Sequence, residues 1–139
     1  MCLESKYPDV VAVVDIPPMF VVDVLLQIFS RMRFPKGIQY DQGTSFISEL
    51  TSEFFERFGV RYQHSSTYHP QSNPVEQFHR TLGRILCVLC SEEGLHWEKH
   101  VHAALFALRT VSHESTGFNP AELVHGRNLR THVTLLYEN

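Results

Sequence analysis

The chain has 139 residues, 43% of them hydrophobic and 19% charged, and carries a formal net charge of −3 with a pI near 6.3. That length and balance suit one globular domain with a real core. They exclude a closed disulfide framework, for which three cysteines are too few, and an autonomous, strongly basic nucleic-acid binder. Asp15, Asp23, Arg31 and Arg33 interrupt the N-terminal apolar stretch, so no run reaches membrane-spanning length and no membrane partner is expected. The first residues carry Glu4, Lys6 and Asp9 rather than a basic start and an apolar segment. A nuclear or cytoplasmic location, without secretion, is the expectation.

In chain order, Val10 to Asp15 is a short β-branched run that predicts a strand, ended by Ile16-Pro17-Pro18. From Met19 to Arg33 the residues Val21, Val24, Leu25, Ile28, Phe29 and Met32 recur at helical spacing and predict a core-facing helix. Phe34-Pro35-Lys36-Gly37 breaks it, and Ile38-Gln39-Tyr40 predicts a short strand that delivers Asp41 at its C-terminal end. A helix follows from Ser48 to Phe58, with Glu49, Glu53 and Glu56 outward, Leu50, Phe54, Phe55 and Phe58 inward, and Gly59 closing it. Val60 to His64 predicts another strand. A polar loop, Ser65 to Pro74, leads to a helix that carries Glu76 and runs to about Cys90. After Ser91-Glu92-Glu93-Gly94 a further helix is expected from about Trp97 to Arg109. There is no internal repeat and no linker, so 1–139 reads as a single α/β domain.

Asp41 and Glu76 are the candidates for chemistry. An Asp beside a Gly is ordinarily a turn former, and a Glu in the first turn of a helix is ordinarily a dipole partner. Together, two carboxylates can supply the hard oxygen ligands that Mg²⁺ or Mn²⁺ needs for phosphoryl transfer. If Glu76 opens a helix, Arg80 and Arg84 follow on the same face one and two turns later, as solvated surface residues or as phosphate contacts. With no basic tail or cluster evident, any DNA binding should be weak, non-specific and local to these two. His96-Trp97-Glu98-Lys99-His100 sets two histidines four apart, but its Glu is misplaced for a zinc protease motif. Cys87 and Cys90, inside an apolar helical stretch, read as core packing.

The strings around the two carboxylates resemble the integrase catalytic core of retroviruses and of Ty3/gypsy-type long-terminal-repeat retrotransposons. Asp41-Gln42-Gly43-Thr44-Ser45-Phe46 is similar to the string around that family's second catalytic Asp. Tyr68-His69-Pro70-Gln71 and then Glu76-Gln77-Phe78-His79-Arg80-Thr81-Leu82 are similar to the strings flanking its catalytic Glu. The tail from Trp97 through Ser115-Thr116-Gly117-Phe118-Asn119-Pro120-Ala121-Glu122-Leu123-Val124-His125-Gly126-Arg127 resembles the segment that follows. Three blocks agree in order and spacing. Tyr40 departs from the usual small residue before the Asp, and Gln77 from the usual Arg or Lys after the Glu.

The resemblance implies a ribonuclease H-like, three-layer α/β fold and DNA integration by metal-dependent polynucleotidyl transfer. Asp41 and Glu76 would be catalytic and metal-binding, with Mg²⁺ or Mn²⁺ as cofactor. His69, Gln71, Arg80 and Arg84 would contact DNA, and the protein would associate with itself. The family's first catalytic Asp lies on a central strand upstream of the segment matched by Ser5 to Val13, so the expectation is a partial integrase catalytic domain, inactive alone. A non-catalytic interaction module descended from an integrase is the alternative.

Overall fold

The computed structural model describes residues 1–15, 17–40, 48–64, 74–93, 96–127 and 129–130. By its internal contacts the chain divides into two compact units, one comprising Val11–Gln71 and the other Met1–Val10 with Ser72–Asn139.

The Val11–Gln71 unit begins with helix α1, Pro18–Met32. Pro17 caps it in an extended conformation and Pro18 opens it, where a missing N–H costs nothing and the ring presets φ. Val21 and Phe29 on this helix are buried, and Val22, Leu25, Leu26 and Ile28 pack against the core cluster that includes Phe29. Strand β1, Gly37–Tyr40, follows. Helix α2, Glu49–Arg57, starts at Ser48, whose hydroxyl accepts a hydrogen bond from the Thr51 N–H at 3.2 Å. The Thr51 side chain, fully buried, is in turn paired with Ser48 Oγ at 2.8 Å. Gly59 turns the chain at φ +65°, a conformation a side chain resists. Strand β2, Arg61–His64, then pairs with β1 in parallel, Gly37 opposite Arg61 and Tyr40 opposite His64. Parallel neighbours need a crossover between them, and α2 provides it. Phe29, Phe54, Phe55 and Val60 form the core, with Ile38 of β1 against them.

In the other unit, helix α3, Pro74–Glu93, is followed by a 3₁₀ turn, Trp97–His100, then α4, Val101–Thr110, and α5, Pro120–His125. Helix α4 packs against both α3 and α5, burying Val101, Ala104 and Leu105 together with Pro120 and Ala121. Gly126, at φ +71°, ends α5 and donates to the Glu122 carbonyl. Arg109 at the end of α4 holds the N-terminal segment. Its Nε and Nη2 donate to the Pro8 carbonyl at 3.0 and 2.8 Å, Nη2 also reaches Asp9 Oδ1 at 3.2 Å, and its guanidinium lies 4.5 Å from the Tyr7 ring centre.

Several expectations need correction. Val10 to Asp15 forms no strand, and Val14 is fully exposed. A β-branched run becomes a strand only where a neighbour takes its backbone groups, and among the described residues none pairs with it. Leu50 and Phe58 of the α2 segment are 37% and 48% exposed rather than inward. Cys87 is exposed and Cys90 half-buried, so neither is fully packed into a core. The expected helix from Trp97 begins as a 3₁₀ turn with Trp97 at 42% exposure. Helix α3 continues to Glu93, since its serine and glutamates tolerate a helix end, and α5 was not foreseen as an element.

Candidate metal and DNA site

Helix α3 presents the described part of the site. Pro74 and Val75 start it, which puts Glu76 in its first turn, where the N-terminal dipole favours a carboxylate. One turn on, Arg80 Nη2 donates to Glu76 Oε1 at 2.8 Å. Both partners are largely in water, with 69% of the Arg80 side chain and 47% of Glu76 exposed. An exposed pair four residues apart contributes only about 0.3–0.5 kcal/mol, so it restrains Glu76 without sealing it. Arg84 is exposed one turn further and borders a shallow apolar recess with Ile85, Val88 and Leu89. The expected alignment of Glu76, Arg80 and Arg84 along one helix is therefore present. The Glu76–Arg80 ion pair is a feature that the spacing allowed and the strings alone did not announce.

Asp41 follows the last residue of β1 and lies outside the described residues, as do His69 and Gln71. What is described is the sheet edge from which their segments depart. Tyr40 pairs with His64, so the segment bearing Asp41 and the segment bearing His69 and Gln71 leave from adjacent C-terminal strand ends. That is where sites form in open α/β sheets. Among the described residues no three His, Cys, Asp or Glu side chains converge as a metal cluster. The Glu76 carboxylate, an exposed hard oxygen donor, fits Mg²⁺ or Mn²⁺ as one ligand of a set.

Sequence reading missed two groupings. Arg109, Pro8, Asp9 and Tyr7 meet across about a hundred positions, and no local signal joins them. The absence of a basic cluster was also mistaken. Arg31, Arg33 and Lys36 on one segment and Arg57 and Arg61 on another come to one end of the Val11–Gln71 unit, because β1 and β2 pair with Gly37 opposite Arg61.

This topology is the ribonuclease H-like fold of integrase catalytic cores. The chain superimposes on the catalytic core domain of BIV integrase with a TM-score of 0.71 and 21% identity, over 88% of this chain and 80% of that one. The HTLV-2 integrase catalytic core domain, solved in complex with magnesium in a trimeric form, gives 0.65 and 18%, over 80% and 72%. No family model matches the chain. An uncharacterized Caenorhabditis elegans protein, K02A2.6, is 30% identical over 96% of this chain. The Pol polyprotein of feline endogenous virus ECE1 is 31% identical over 74% of it, and the gypsy retrotransposon integrase-like protein 1 of Pongo abelii 25% identical over 91%. The chain spans 11%, 10% and 24% of the length of these three relatives. Its relatives are thus retroviral Pol polyproteins and a gypsy-type integrase-like protein, and it shares the fold of retroviral integrase catalytic cores.

Proposed function

We propose that the chain is an integrase-type catalytic core domain whose Asp41 and Glu76 hold a divalent metal and whose helix α3 meets DNA. The observation that supports it most is the placement of Glu76, an accessible carboxylate in the first turn of α3, with Arg80 and Arg84 following on the same helix. Bound Mg²⁺ or Mn²⁺ supplies charge neutralisation at the reacting phosphate and a deprotonated oxygen nucleophile at neutral pH. Glu76 gives a carboxylate oxygen, and Asp41, one residue past β1, gives the second. Arg80 neutralises Glu76 until the site is loaded and then turns its guanidinium to a phosphate. Arg84 makes a second phosphate contact one turn on, and His69 and Gln71 position the DNA end. Such contacts set register rather than sequence preference, so binding is weak, non-specific and salt-sensitive.

With only these two carboxylates assigned to the metal, the 139 residues by themselves would have little or no activity. The test is a strand-transfer assay with Mn²⁺ on a protein extended upstream by an Asp-bearing strand, against its Glu76→Gln variant. Activity in the parent that Glu76→Gln abolishes supports the assignment. Equal rates in the two, or an inactive parent that binds neither metal nor DNA, leave the chain as a non-catalytic module. Both readings are compatible with the exposed Val88 beside Ile85 and Leu89 on α3, an apolar strip suited to self-association.

A further inference from the structure

One end of the Val11–Gln71 unit carries an aromatic and basic surface. Phe34, just past α1, and Phe58, at the end of α2, stack with ring centres 4.7 Å apart and planes 10° from parallel. Beneath them, Phe29 and Phe54 meet the pair at 5.4 and 4.9 Å. The upper rings are only partly covered: Phe34 is 39% exposed and Phe58 48%. Five of the chain's 12 lysines and arginines lie in the adjoining segments, Arg31, Arg33, Lys36, Arg57 and Arg61. The Arg61 N–H donates to the Lys36 carbonyl at 3.1 Å, tying the two segments together. Arg57 is paired with Glu53, whereas Arg33, Lys36 and Arg61 are exposed with no carboxylate paired to them among the described residues. Arg33 also has an unusual backbone, φ 150° and ψ 163°, a region that is nearly the preserve of glycine and is retained where surroundings or function demand it.

We propose that Phe34 and Phe58, with Arg33, Lys36, Arg57 and Arg61 beside them, form a stacking platform for single-stranded nucleic acid. Unpaired bases stack on exposed aromatic rings while cations follow the phosphates, and every base has a face to offer, so such binding tolerates any sequence. A duplex cannot use the rings, because its base faces are already stacked. An acidic peptide would use the cations but would gain little from the outer surfaces of a stacked ring pair, since peptide anchors need pockets. The platform sits at the N-terminal ends of β1 and β2, whereas Asp41 follows the C-terminal end of β1.

The experiment is fluorescence anisotropy at low salt with a labelled oligothymidine of about 15 nucleotides. It compares the parent, Phe34→Leu/Phe58→Leu, Arg33→Gln/Arg61→Gln and Arg80→Ala/Arg84→Ala, with circular dichroism to show that each is folded. Leucine keeps most of the apolar volume and removes the ring face. The proposal expects each of the first two variants to lose at least fivefold in affinity for this single-stranded probe, whatever share the third removes with its phosphate contacts on α3. Three results overturn it: an unbound parent, a Phe variant within about twofold of the parent, or displacement of the probe by polyglutamate as readily as by unlabelled oligothymidine. Duplex DNA run alongside reports on Arg80 and Arg84 independently, so failure of the platform and failure of the α3 assignment are read on different probes.

Discussion

At the scale of single residues, the Glu76–Arg80 pair decides how the α3 site is read. Both groups are solvated, so the pair adds little to stability and mainly keeps each side chain where the other can find it. Arg80→Ala should change the unfolding free energy by less than about 0.5 kcal/mol in a urea titration. A loss above about 1 kcal/mol would mean that Arg80 is a structural residue. Arg33 makes the opposite case. Its glycine-like backbone costs about 1–3 kcal/mol, so Arg33→Gly should raise thermal stability even after the added freedom of the unfolded chain, while Arg33→Ala should not. A melting temperature raised equally by both would place the gain in lost charge repulsion instead. Cys2 offers a chemical probe. Burial pushes its thiol up, but hydrogen bonds from Ser5 and from the Glu4 backbone outweigh that and leave the thiol below its ordinary value. Because the folded thiol is the stronger acid, its contribution to stability grows as pH rises through the folded value. It is complete above the unfolded one. Alkylation of Cys2 should therefore continue at lower pH in the folded protein than in urea, and the same pH dependence in both would contradict it.

At the scale of elements, caps and long-range anchors carry more than surface charge does. Ser48→Ala removes the acceptor for the Thr51 N–H and the partner of a fully buried hydroxyl. A cap is worth about 1 kcal/mol and an unpaired buried group about 1–3, so the loss should exceed that of an ordinary exposed serine, as denaturant midpoints would show. A near-neutral Ser48→Ala, within about 0.5 kcal/mol, would mean that water reaches Thr51. The elements in which local and tertiary preferences agree were legible: α1 from its prolines and helical spacing, α2 from Ser48 and Gly59, β1 and β2 from short runs bounded by turn residues. Val10 to Asp15 misled because strand propensity needs a partner. Phe58 misled because it lies at a helix end, where helical periodicity no longer fixes a face. Arg109 could not be linked to Pro8 and Asp9 from sequence, since nothing local couples residues so far apart. Of the site, Glu76, Arg80 and Arg84 were legible as a line along one helix. The basic cluster was not, because its halves come together only through the register of β1 on β2.

At the scale of the whole molecule, a net charge of −3 restricts any nucleic-acid binding to local clusters, and the two proposed are α3 and the Phe34–Phe58 end. A bound ion stabilises the folded chain by mass action, about 1.4 kcal/mol at tenfold excess over its dissociation constant, which for a domain of this size is a few degrees of melting temperature. The most direct measurement is thus a Mg²⁺ or Mn²⁺ titration followed by thermal unfolding, on the parent, Asp41→Asn and Glu76→Gln. A concentration-dependent rise of a few degrees in the parent that is lost in both variants is the predicted result. An equal rise in all three proteins, or none in the parent, would contradict a shared metal site at Asp41 and Glu76.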